Sequence, residues 1–107
     1  MSPRQLTVID VAVRNVGLRR SVTALTYLAM YGAARNAAGE AVKPEQVGAH
    51  WQRSDASVFR DQAVFRLAFP GEASPERLWL ALGASVHEKR AERAGARLAA
   101  LPWPVAP

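Results

Sequence analysis

The sequence predicts a mainly α fold, a small helical bundle forming one domain over residues 1–101 with an extended tail over 102–107. Two observations carry this expectation. Apolar residues recur at helical spacing along most of the chain, and Ser, Pro and Gly punctuate those runs where helices start and stop. The 107 residues suit one domain, and 50% hydrophobic against 21% charged residues is too apolar for a disordered chain. No internal repeat is visible.

Leu6 to Val13 is rich in β-branched residues and ends at Asn15-Val16-Gly17, which reads as a short N-terminal strand or extended arm; the alternative is the first turn of a helix stopped by Gly17. Ser21 can cap a helix running to about Ala38, with Gly39 as C-cap and Arg35 near the negative end of the dipole. Val22, Leu25, Leu28, Ala29 and Gly32 form one face of it, and Tyr27, Met30, Tyr31 and Ala34 fill much of the rest. That is the pattern of a buried central helix, or of one shared with a second subunit.

Lys43-Pro44-Glu45 starts a two-turn helix that ends at Trp51. Ser54 or Asp55 caps the next, which carries Val58, Phe59, Ala63, Phe65, Leu67 and Phe69 and stops at Pro70-Gly71. Ser74-Pro75-Glu76 opens a last helix running to about Leu101. Its first half, Leu78 to Leu82, is core-like, Val86 extends that face, and the stretch from His87 to Arg97 is charged and Ala-rich. The tail Pro102-Trp103-Pro104-Val105-Ala106-Pro107 cannot be helical, and its Trp103 either packs back on the core or anchors in a partner's groove.

The 14 Lys and Arg against 9 Asp and Glu give a net charge of +5, which favours a polyanionic partner, nucleic acid or anionic membrane. The absence of cysteine excludes disulfides, thiol catalysis and Cys-ligated metal, and fits a cytoplasmic location. Met1 to Leu6 lacks the apolar region of a secretory signal, and the longest apolar run, Val22 to Ala34, is 13 residues where a membrane-spanning helix needs about 20. His50 and His87 stand 37 positions apart without a partner at a metal-binding spacing, and no Gly-rich phosphate loop is present, so neither an enzyme nor a cofactor or metal is expected.

The chemistry concentrates in residues 44–69. A helix-turn-helix reader needs a short bracing helix, a tight turn, and a second helix whose exposed start meets base edges in the major groove. Gly48 or Ala49 allows close approach of the two helices, and Val47, Trp51, Val58 and Phe59 can point inward. On Val47-Gly48-Ala49-His50-Trp51, Ser54, Ser57-Val58-Phe59-Arg60, Phe65-Arg66 and Phe69-Pro70, the stretch resembles the helix-turn-helix DNA-binding domains of small actinobacterial and phage regulators. Many such domains carry Gly and then an aliphatic residue in the turn, where this chain has Gln52 and Arg53 and so lacks an apolar anchor.

The resemblance implies that Ser54, Asp55, Ala56, Ser57, Arg60 and Asp61 lie on or near the exposed start of the reading helix. Asp55, Ala56, Ser57 and Arg60 are then the base-contact set, and Arg60 is the best candidate for a bidentate contact to guanine. Asp55 and Asp61 oppose phosphate, and either orient Arg60 or accept from cytosine. Lys43, Gln46, Arg53, Ser54 and Arg66 are the expected phosphate contacts. The plainer alternative is a helical hairpin whose Arg60 and Arg66 are merely solvated.

Arg90, Arg93 and Arg97 share one helix face with Lys89 beside it, a secondary basic surface or a solvated helix end. Glu88 and Glu92 form a neighbouring acidic rail, and His87, Ala91, Ala94, Leu98 and Leu101 form a thin third face suited to helix pairing. The leading expectation is therefore a homodimeric, sequence-specific binder of double-stranded DNA, a transcriptional regulator or phage-type control protein that pairs through the Ser21 to Ala38 helix or the C-terminal helix. The competing one is a non-catalytic adaptor that takes an acidic protein partner on Trp51, Phe59, Phe65 or Trp103.

Overall fold

The computed structural model describes residues 5–104. The expectations placed on Met1 to Arg4 and on Val105 to Pro107 lie outside them. The described chain is a bundle of five helices: α1 (Val8–Ala38), α2 (Pro44–Trp51), α3 (Asp55–Ala68), α4 (Pro75–Leu82) and α5 (Ala91–Ala99). α1 is the central element, and every other helix packs on it. No helix of the described residues is long and apolar enough to cross a membrane.

The N-terminal strand or arm is overturned, because residues 8–16 are helical and only an isolated bridge joins Thr7 to Pro102. A capping box outweighs the β-branched side chains: the Thr7 N–H donates to Asp10 Oδ2 at 2.9 Å, and the Asp10 N–H donates back to Thr7 Oγ1 at 3.4 Å. Gly17 does interrupt the helix. Its φ of 81° and ψ of 171° bend α1, and residues 18–38 continue beyond the bend. Ser21 is therefore not an N-cap. It is buried inside the helix, with its hydroxyl donating to the Leu18 carbonyl at 2.6 Å.

From Ala24 to Gly32 every residue of α1 is buried, which makes it the enclosed central helix of the sequence pattern. Gly39 closes it in the left-handed conformation, φ 77°, with its N–H on the Arg35 carbonyl at 2.9 Å. The side chain of Asn15, just before the bend, donates to the Ala68 carbonyl at 2.8 Å and ties that segment to the end of α3.

The expected single helix from Pro75 to Leu101 is two. Gly83, at φ 60°, turns the chain out of α4, and residues 83–90 form a connector holding Val86 and His87 before α5 begins. The two helices dock separately on α1. A Cβ on Gly32 would lie 2.3 Å from the Trp79 ring, and a Cβ on Gly95 would lie 2.9 Å from the Thr26 backbone nitrogen, so each contact requires a residue without a side chain. Leu78 and Trp79 fill the core as expected, whereas Leu80 is exposed. Trp103 packs back, stacked on Phe69 with ring centroids 5.6 Å apart and planes 10° off parallel.

Candidate nucleic-acid interface

α2 starts at Pro44, and its first turn is closed by the Gln46 side chain, which accepts from the Lys43 N–H at 2.8 Å. It ends at Gln52, in the left-handed region at φ 56°, ψ 45°. The next N–H, that of Arg53, returns to the Gly48 carbonyl at 2.8 Å, and Ser54 caps α3 by accepting from the Ser57 N–H at 3.2 Å. Gly48 rather than Ala49 makes the crossing: a Cβ there would sit 2.8 Å from the Arg53 carbonyl oxygen and 3.5 Å from both Val58 methyls. Ala49 is exposed.

Arg53 stands where the turn lacks an apolar anchor. Its guanidinium donates to Ser57 Oγ at 2.7 and 3.2 Å and to Asp61 Oδ2 at 3.3 Å, and touches Met30 Sδ at 3.7 Å. The turn is thus fixed to α3 and α1 by a half-buried cation, with the nearly buried Asp61 carboxylate as counter-ion. Arg60 Nε lies 3.9 Å from the other Asp61 oxygen, yet its side chain remains 75% exposed. Trp51 anchors α2 by donating its indole N–H to the Met30 carbonyl at 2.9 Å.

Val58, Asp61, Phe65 and Ala68 form the inner face of α3. Phe59 departs from expectation, because it is turned outward and 45% exposed. Successive helical residues point about 100° apart, so Phe59 cannot share the inward direction of Val58. The outer face of α3 instead aligns Ala56, Phe59, Ala63 and Leu67, with Arg60 on one edge and Asp55 and Arg66 on the other. The helix-turn-helix expectation puts Arg60, Asp55 and Ala56 on this outer side but turns Phe59 inward, whereas the adaptor alternative has Phe59 exposed; the spacing 58, 61, 65, 68 is the sequence signal for its outward position.

Of the predicted phosphate contacts, Lys43, Gln46, Ser54 and Arg66 are exposed, while Arg53 is engaged within the protein. Ser57 is half-buried and held by Arg53. The secondary basic face is not an extension of this surface. An open groove floored by Val22, Thr23 and Thr26 has Arg53, Arg60 and Asp61 on one wall, and on its α5 side it meets Glu92. Helical geometry puts Arg93 and Arg97 on the flank of α5 away from Glu92. Arg97 pairs with Glu88, and Arg90 is the N-cap residue of α5 rather than part of its face. Comparison with protein-family models, curated proteins and solved structures finds no match for this chain.

Proposed function

We propose that this protein binds double-stranded DNA sequence-specifically through the exposed start of α3, as a transcriptional regulator or phage-type control protein. The observation that carries this reading is the α2 to α3 junction. Its three-residue turn, tightened by the Gly48 contact and braced by Arg53, fixes one face of α3 against the bundle and leaves the opposite face free. Arg60 is the guanine-reading side chain, held at its base by Asp61, and Asp55 and Ala56 lie beside it. Lys43, Gln46, Ser54 and Arg66 contact phosphates, whereas Arg53 works as the brace that sets Ser57 and Asp61. A mobility-shift titration at two salt concentrations tests the reading. Binding should weaken steeply with salt, and no binding to any duplex at low salt would sink it. Within it, Arg60→Ala should relax sequence preference and Arg66→Ala should weaken all sequences alike.

A single hairpin buries little surface, and a homodimer reading two half-sites supplies the specificity. The buried middle of α1 is enclosed by its own chain, so the contact falls on exposed Leu18 and Val22 beside the small apolar groove of about 170 Å³ lined by Ile9, Ala96 and Ala99. Val22→Glu should leave a monomer by sedimentation equilibrium; a wild-type chain that is already monomeric at high concentration refutes the dimer.

A second reading, an adaptor for an acidic protein, is favoured by one observation, the outward Phe59 and Leu67. Phe65 is buried, Trp51 is bonded to α1 and Trp103 is stacked on Phe69, so its other anchors are occupied.

A further inference from the structure

The outward strip of α3 calls for a more specific ligand than DNA in general. At the centre of the exposed face stand Ala56, Phe59, Ala63 and Leu67, with Phe59 45% and Leu67 59% exposed. A helix face entering a major groove dehydrates the base edges it covers. Apolar side chains laid over bare donors and acceptors would leave those groups unpaired, at a cost comparable to a lost hydrogen bond. The major groove offers one apolar feature, the C5 methyl of thymine, and the side chains that meet it are of the Ala and Phe type. The charges agree with a nucleic-acid occupant, since Arg60 and Arg66 border the strip on opposite edges and Asp55 is the one acidic residue at its start.

We infer that the Ala56, Phe59 and Ala63 strip reads thymine methyl groups, so that the preferred sites place thymines within a few base pairs of the guanine taken by Arg60. This rests on the DNA-binding reading and deepens it. The distance along α3 from Ala56 to Ala63 is about 10 Å, the length of about three base-pair steps, so the strip covers roughly three pairs. Ala56 and Ala63 let the helix axis come close to the groove floor, and Phe59, between them, supplies the largest apolar contact.

The test uses the full chain and a random-sequence duplex pool. Bound duplexes are selected, and affinity for the selected site is then compared with copies in which each thymine in turn is replaced by uracil, which keeps the base pair and removes only the methyl. Replacement at a contacted position should weaken binding about fourfold, the value of one buried methyl group. Phe59→Ala should bind more weakly and lose the distinction between thymine and uracil at one position, whereas Arg60→Ala should keep that distinction and lose its guanine. Circular dichroism establishes that both exposed-site variants fold. Selected sites without thymine, or equal affinity for all uracil copies, overturn methyl reading while DNA binding stands. A pool from which no duplex is enriched overturns both, and Phe59 then belongs to a protein contact.

Discussion

Gln52 ends α2 and Gly83 ends α4 in nearly the same left-handed backbone conformation, φ and ψ of 56° and 45° against 60° and 28°. The two chain segments beyond these caps differ. After Gln52 the chain takes two residues to enter α3, which packs on α2 and on α1 together. After Gly83 it takes seven more residues, and α4 and α5 each seat on α1 through a glycine contact of their own. The same cap therefore makes a rigid unit in one place and two separate buttresses in the other. Rigidity comes from the return of the Arg53 N–H to Gly48 and from the Arg53, Ser57 and Asp61 cluster. In the α4 to α5 connector Ser85 meets His87 at 3.0 Å and Glu88 pairs with Arg97 of α5, contacts that do not reach α4. A surface that must present side chains in fixed register is expected on the first kind of hairpin.

The largest test of this contrast is the removal of a tryptophan from each side. Trp79 is 2% exposed, lies against Gly32 and, with Leu78 and Pro75, makes up most of what α4 buries. Trp79→Ala should cost about 3–5 kcal/mol and free α4 as a unit. Trp51→Ala should cost less, because Trp51 is only half-buried and α2 keeps its turn contacts to α3. Urea denaturation measures both, and limited proteolysis of Trp79→Ala should cut first between residues 70 and 90. Equal costs, or a first cut in the 52–54 turn, would break the distinction.

Alkaline pH separates the two regions through their tyrosines. Tyr27, 6.1 Å from the Phe65 ring, belongs to the hairpin side, and Tyr31, close to Glu76, to the α4 side. Burial pushes both hydroxyls up to about 12, with the charge of Glu76 adding to the effect at Tyr31. The folded state thus holds its protons where the unfolded chain, titrating near 10, has lost them. Their contribution is complete below pH 10 and is lost between pH 10 and 12, with a slope of about 1.4 kcal/mol per pH unit for each tyrosine. Tyr31→Phe should halve that slope in denaturation curves taken between pH 10 and 12. An unchanged slope would mean that the α4 side contributes nothing to it.

The contrast also marks what could be read from the chain alone. α2 and the start of α3 were legible because their signals are local: Pro44 after Lys43, and Ser54 three residues before the N–H it accepts. The capping pair Thr7 and Asp10 was equally local, but the β-branched run around it argued the other way. The break at Gly83 was not legible, since Gly is tolerated inside helices and the decision is made by where α5 can dock, with Gly95 against Leu25 and Thr26 some 70 positions earlier in the chain. In the candidate site, residue identities were legible and their engagement was not. Arg53 reads as a free surface cation until Met30, 23 positions away, is seen to lie beneath its guanidinium.

The smallest effect is the most direct comparison, an exchange of the two caps. A non-glycine residue in the left-handed region bears a strain of about 1–2 kcal/mol, while glycine adds about 0.4–1 kcal/mol of unfolded-chain entropy. Gln52→Gly should therefore stabilise the protein by about 0.5–1 kcal/mol. A Cβ on Gly83 meets nothing within 4 Å, so Gly83→Gln adds strain without a clash and should destabilise by a similar amount. The chevron kinetics of the two variants then locate each cap on the folding path. If the α2 to α3 hairpin is the preformed unit, Gln52→Gly speeds folding, because its turn is already made in the transition state. Gly83→Gln should speed unfolding, because α4 and α5 seat on α1 late. The opposite partition would mean that the hairpin is assembled by the bundle, and that the fixed presentation of α3 depends on α1 rather than on its own turn.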